Sequence, residues 1–224
     1  MPEHVHVHAP HELSEPSEAV SHRERINELV AVLLLSIATV CVAWSGYQAA
    51  KWSGVQARRY AQASTARSLA TRASTLGGQE RLQDLLNFNR WLEESTTGDT
   101  ALAALYERRF RPEFRPAFDA WVAQDPLHNE RAIATPLRMP QYKLASFEKA
   151  DALERLADRR FEQGKEATEH ADDYIFGTVF FAAVLFFAGI SMRFQWLAMR
   201  LVVLGMSTAF LGYGIFHLAT LPTH

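Results

Sequence analysis

At 224 residues and a formal net charge of −2, the chain is long enough for a sizeable domain but has no charge excess with which to hold a nucleic acid. Its one cysteine, Cys41, excludes an intramolecular disulfide. The apolar residues are unevenly placed. Residues 29–50, 174–192 and 197–221 are nearly free of charge, with Arg200 near the start of the last window. Each window is long enough to cross a hydrocarbon core about 30 Å thick at roughly 1.5 Å per residue. The expected fold is therefore an all-α membrane protein with transmembrane helices at residues 29–50, 174–192 and 197–219.

Residues 1–21 are rich in His, Pro, Glu and Ser and lack apolar periodicity, so they read as a disordered tail. His4, His6, His8 and His11 within it offer imidazole nitrogens without fixed geometry, and no metal is assigned to them. A helix is expected to start near Ser17 or Ser21, either of which can cap it. The first apolar window is expected to be an uncleaved span rather than a signal peptide: its lead-in is long, no A-x-A site follows, and Val40 is a poor fit before Cys41 for a lipoprotein signal.

Residues 51–173 form a helical extramembrane domain. The first helix leaves its apolar window without a break, through the doubled unit that begins at Trp44 and recurs at Trp52. Eight residues is not a helical period, so the two tryptophans stand about 80° apart. Gly77 and Gly78 are expected to end that helix. Residues 79–94 then read as a new helix with Leu82, Leu85, Leu86, Asn89 and Leu92 on its apolar face. Residues 96–99 are a turn signal and residues 101–110 a short helix. Residues 111–124 hold Phe114, Phe118, Trp121 and Val122 at helical spacing, while Pro112 and Pro116 limit the segment to a broken or late-starting helix. Residues 125–140, with three prolines, are a long loop. From Gln141 a helical pattern continues into the second apolar window. No alternating strand pattern occurs.

Spans 1 and 2 leave and re-enter the membrane on one side, so their continuations are expected to pair as long antiparallel stalk helices. A small-residue seam runs from Ser36 through Thr39, Ala43, Gly46, Ala50, Ser53 and Ala57 to Tyr60 and Ser64. Its counterpart contains Ala150, Leu153, Ala157, Phe161, Gly164, Thr168, Ala171, Ile175, Thr178, Ala182, Leu185 and Gly189. The layering sets Ser36 by Gly189, Gly46 by Thr178, Tyr60 by Gly164 and Ser64 by Phe161. Basic residues on the outgoing helix then face acids on the returning one: Lys51 with Asp173, Arg58 with Glu166, and Arg72 with Asp151. Self-association through the small seam is the alternative. In the third span, Gly205 with Ala209 and Thr208 with Gly212 allow close helix packing.

Arg193 and Arg200 flank the short connection between spans 2 and 3 and place it in the cytoplasm by the positive-inside rule. The N-terminus is then cytoplasmic and residues 51–173 extracytoplasmic. Trp44, Tyr47, Tyr174 and Tyr213 form the outer aromatic belt, and Trp196 the inner one.

The doubled WSGxQA unit, the Pro-containing segment 111–126 and the run ADDYIFGTVFFAAVLFFAGIS at residues 171–191 resemble an uncharacterised family of small three-span bacterial inner-membrane proteins. The likeness runs from Trp44 to the C-terminus. It implies topology and a bacterial inner-membrane location, and no activity.

The extramembrane region contains no Gly-rich phosphate loop, nucleophile motif or zinc spacing. His170 with Asp172 and Asp173, at the mouth of the second span, is the densest titratable cluster and reads as interfacial charge. No acid or lysine lies within a span, so a proton-relay carboxylate is absent; Arg200 lies close enough to the inner face to snorkel, and His217 is near the outer end. No catalytic, cofactor or metal residue is assigned. The expected protein is not an enzyme. It is an interaction or ligand-sensing module in the lipid bilayer, acting through a homo-oligomer or another membrane protein. The alternative is an oligomeric channel or accessory channel subunit, with Ser36, Thr39 and Gly46 lining the pore.

Overall fold

A computed structural model of the chain describes residues 22–223. The His-rich tail and the expected capping serines lie outside the described residues. Among the described residues five α-helices follow in order: α1 (His22–Thr97), α2 (Thr100–Arg108), α3 (Arg115–Val122), α4 (Ala145–Ser191) and α5 (Leu197–Thr220), with a 3-10 turn at Pro136–Arg138. Among the described residues there is no strand. Helices α1, α4 and α5 each contain a window long and apolar enough to cross a membrane. The chain divides into two compact units. One comprises Met1–Ala50 with His170–His224, the other Lys51–Glu169.

The first unit is apolar inside and out. Its interior joins Ala31, Leu34 and Ala38 of α1 to Phe181, Val184 and Ala188 of α4 and to Leu204 and Leu211 of α5. The α1 contribution is mostly alanine, which lets helices approach closely. The Phe181 ring needs more room and takes it from Gly214: a Cβ there would stand 2.8 Å from Phe181 Cε1. Tyr174, fully buried, donates its hydroxyl to the carbonyl of Pro222 at 3.2 Å. The outer face keeps Leu29, Leu33, Val40, Val179, Phe186 and Phe216 more than half exposed, apolar surface that suits lipid better than water.

The small-residue seam expected on α1 is not the face that packs. Ser36, Thr39, Ala43, Gly46, Ala50, Ser53, Ala57 and Ser64 are exposed, and a Cβ on Gly46 or on Gly189 would meet nothing within 4 Å. Ser36 therefore does not meet Gly189, nor Gly46 Thr178. The buried face lies more than a quarter turn round, at about 100° per residue, on Ala31, Ala38, Ser45 and Ala49 and then Ala63, Ala66, Ala70 and Ala73. Smallness did not discriminate because α1 is small on two sides. The hydroxyls of the outer side need no partner: Ser36 and Thr39 donate to the carbonyls of Val32 and Leu35 in their own helix. On α4 the interior is centred on Phe181, Val184 and Ala188, one residue from the expected Ala182, Leu185 and Gly189, because α5 packs there as well; Leu185 still packs against its edge. On α5 itself the buried small residues are Ser207 and Gly214, and Gly205, Ala209 and Gly212 are exposed.

In the second unit α1 continues past Gly77 and Gly78, correcting the expected break. A glycine costs roughly 1 kcal/mol against alanine in a helix, too little to end one held by packing. Gly77 is buried under the Phe147 ring, whose Cδ1 would lie 2.9 Å from a Cβ there. Further back along α1, the Tyr60 ring covers Gly164 in the same way. Phe161 meets Tyr60 and the Arg67 guanidinium, each 5.2 Å away between centres, the residues one turn before and one turn after its expected neighbour Ser64. An ion pair joins α1 to α4 in this unit, Arg67 with Asp158 at 3.5 Å. Arg58 and Arg72 do not pair with Glu166 and Asp151; Arg58 lies instead along its own helix beside Gly54.

α1 ends where the turn signal stands. Gly98 takes φ +92°, the left-handed conformation that closes helices, and Asp99 then caps α2 by accepting from the Leu102 amide at 3.0 Å. Pro116 falls in the first turn of α3, where its missing N–H costs nothing.

Candidate functional site

The far end of α1 carries a buried aromatic cluster and the most strongly perturbed side chains of the second unit. Phe110, Phe114, Phe118 and Trp121 stand at spacings of four, four and three and present one apolar face. That face packs on Phe88 and Trp91 of α1, with edge-to-face ring pairs such as Phe88–Trp121 (5.1 Å) and Trp91–Phe118 (4.7 Å). Pairs of this geometry contribute about 0.5–1.5 kcal/mol beyond the area they bury.

The connection from α3 to α4 folds over the cluster rather than away from it. Trp121 Nε1 donates to the Ile133 carbonyl at 2.6 Å. Gln124 accepts from the Ile133 amide and donates to Met139 Sδ, while its own carbonyl accepts from Asn129. Met139 is buried against the rings as a result.

Beside the rings sits a polar node. Asp84 is only 1% exposed, and Arg111 reaches it with Nε 3.2 Å from Oδ1. The same guanidinium meets Glu80 at 3.0 Å and Glu113 at 3.6 Å. Tyr142 donates its hydroxyl to Asp84 Oδ2 at 2.9 Å. Burial pushes the Asp84 carboxyl above its ordinary value, and the Tyr142 hydrogen bond and the Arg111 charge recover only part of that shift. Burial, reinforced by the hydrogen bond to Asp84, holds the Tyr142 hydroxyl well above the ordinary tyrosine range, so it remains a donor. The node ties three separate segments together: α1 through Glu80 and Asp84, the α2–α3 connection through Arg111, and the approach to α4 through Tyr142. Its chemistry is that of a latch, with a cation and a phenol clasping a carboxylate.

Sequence reasoning missed these residues. Residues 79–94 are helical as expected, but Leu82, Leu85, Leu86 and Asn89 face outward, and Asp84 and Phe88 face inward. The missed signal is the run Gly77, Glu80, Asp84, Phe88, Trp91, at steps of three and four, which continues the buried alanine face of α1. An acid on such a stripe implies a buried cation nearby, and Arg111 is the arginine that directly follows Phe110 within the aromatic run.

The cluster favoured by the sequence is unremarkable in structure. His170 and Asp173 are half-buried and Asp172 is exposed. Among the described residues no three His, Cys, Asp or Glu side chains converge as a metal ion would need. Arg200 Nε and Nη2 and His217 Nε2 are buried without a hydrogen-bond partner; the His217 ring stacks on Tyr213 and meets Phe176 edge-on.

No family model, no curated protein and no solved structure matches the chain.

Proposed function

We propose that the chain is a non-enzymatic, multi-pass membrane protein of the bacterial inner membrane, an interaction or ligand-sensing module that acts through a partner or a homo-oligomer. The observation that carries this reading is the make-up of α1 and α4. Each is one helix, 76 residues long for α1 and 47 for α4, that holds both a charge-free apolar window and a water-compatible segment. Spans 1 and 2 then continue as antiparallel stalk helices, a reading supported by Tyr60 on Gly164 and Phe147 on Gly77, contacts that advance along α1 as they retreat along α4. The N-terminus is cytoplasmic and residues 51–173 extracytoplasmic, supported by Arg193 and Arg200 around the short connection before α5. The test is native-detergent sizing together with in-membrane crosslinking. A complex with itself or with a defined membrane protein is expected; a monomer that retrieves no partner would sink the reading. Reporter fusions at residues 98 and 195 test the orientation independently.

A second reading, an oligomeric channel or accessory channel subunit, is favoured by the exposure of Ser36, Thr39 and Gly46 along one face of α1. Cysteines at those positions that react with water-borne thiol reagents would support a pore. Protection of all three would exclude it.

A further inference from the structure

Within the second unit the α1–α4 pair is asymmetric in cross-section. One side is polar, with Arg67, Thr71, Glu154 and Asp158 around a cleft. The other side holds two clefts of about 370 and 320 Å³ that share Leu69 and Leu153 and so form one groove. Leu156 extends its apolar floor at one end and Leu76 at the other. Leu69 and Leu76 are 43% and 50% exposed, although the alanine seam beside them is buried. From Ala61 to Leu76 the groove is about 22 Å long at 1.5 Å per residue, the length of roughly four helical turns. Its rim is basic. Arg72, Lys149 and Arg160 line it without an acid, and none of the three is in an ion pair among the described residues.

A straight apolar trough between two helices is shaped to take a third helix. The rim decides whose helix it is. A second copy docking by the same side would set three uncompensated cations against three more, so the charge argues against a symmetric dimer through this groove. We propose that the groove bounded by Leu69, Leu76, Leu153 and Leu156 docks an amphipathic helix of a partner protein that carries acidic residues on both flanks of its apolar stripe. This rests on the reading of the chain as an interaction module and names the kind of partner it takes.

The experiment uses the full-length protein in lipid nanodiscs and two labelled helical peptides of about three heptads. They share one leucine stripe and differ in flanks, glutamate in one and lysine in the other. Fluorescence anisotropy should show the glutamate peptide binding about tenfold or more tightly than the lysine peptide. The triple variant Arg72→Glu, Lys149→Glu, Arg160→Glu should reverse that order, and Leu69→Glu should weaken both. Equal binding of the two peptides, or an order unchanged by charge reversal, would overturn the proposal. So would an oligomer of the wild type that Leu69→Glu disperses, since the occupant is then a second copy. If neither peptide binds while in-membrane crosslinking still yields a partner, the docking site falls and the interaction reading survives.

Discussion

The Tyr60 ring lies across Gly164 so closely that a Cβ on the glycine would stand 2.5 Å from Cε1. Gly164→Ala should therefore destabilise the second unit by about 1–3 kcal/mol, the usual cost of overpacking, despite alanine's better helix propensity. Thermal unfolding followed by circular dichroism measures this. The double variant Tyr60→Ala, Gly164→Ala removes the clash and should recover part of the loss relative to Tyr60→Ala with Gly164→Ala treated as additive. Strict additivity would mean the two residues do not press on each other.

The paired glycines of α1 should respond in opposite directions. Gly77→Ala drives a methyl into the Phe147 ring and should lower the melting temperature. Gly78→Ala meets nothing within 4 Å and should raise stability by about 0.5–1 kcal/mol through helix propensity. Had the helix broken here, as a reading of the glycines alone suggests, both alanines would be expected to disturb the turn.

The latch at Asp84 makes a pH-dependent prediction. The folded chain holds the Asp84 proton to higher pH than the unfolded chain, whose value is near 3.8. Its contribution to stability is therefore fully present below 3.8 and is lost as pH rises through the folded value. Asp84→Asn lacks this loss, so the difference in melting temperature should move in favour of the variant between about pH 3 and about pH 7. Arg111→Ala, which leaves Asp84 buried without its cation, should cost about 3–5 kcal/mol at neutral pH. Tyr142→Phe should cost about 1–2 kcal/mol. A pH-independent difference for Asp84→Asn would show that the carboxyl is not shifted.

In the apolar unit Gly214 is the packing glycine of α5. Gly214→Leu should weaken the helix assembly, seen as a lower melting temperature in detergent. Gly205→Leu and Gly212→Leu, at positions where a Cβ meets nothing within 4 Å, should be tolerated. Equal sensitivity at all three would mean that a further helix covers the outer face of α5.

Helix content, the three long apolar helices, the turn at Gly98 and the late start of α3 at Arg115 were all legible in the sequence. Each rests on local chemistry: apolar run length, a left-handed glycine, a proline that tolerates only the first turn. Which face of α1 is buried was not legible, although on α4 Ala150, Ala157, Gly164 and Ala171, and on α3 Phe118 and Trp121, are buried on the face their spacing marked. α1 has alanines on one side and serines, threonines and glycines on another, and both sets satisfy a rule that asks only for small residues. Tyr60 and Gly164 were paired correctly in register because a large ring needs a small neighbour, a constraint between two residues rather than a property of one face. The latch was missed for a related reason. Leucines at helical spacing outvoted Asp84 and Phe88, and only the distant partners Arg111 and Tyr142 reveal that an acid belongs inside.

The connection between α3 and α4 has a practical consequence. Trp121, Gln124 and Asn129 clamp its backbone, and Met139 anchors its far end among the rings. A protease needs slack, extended chain to seat a peptide bond in its cleft. This segment offers little slack despite its prolines and its having only one 3-10 turn, so brief trypsin treatment should spare Arg131 and Arg138 until the aromatic cluster itself comes apart. The onset of cleavage there is thus a clock for the opening of that cluster, readable on a gel without any label.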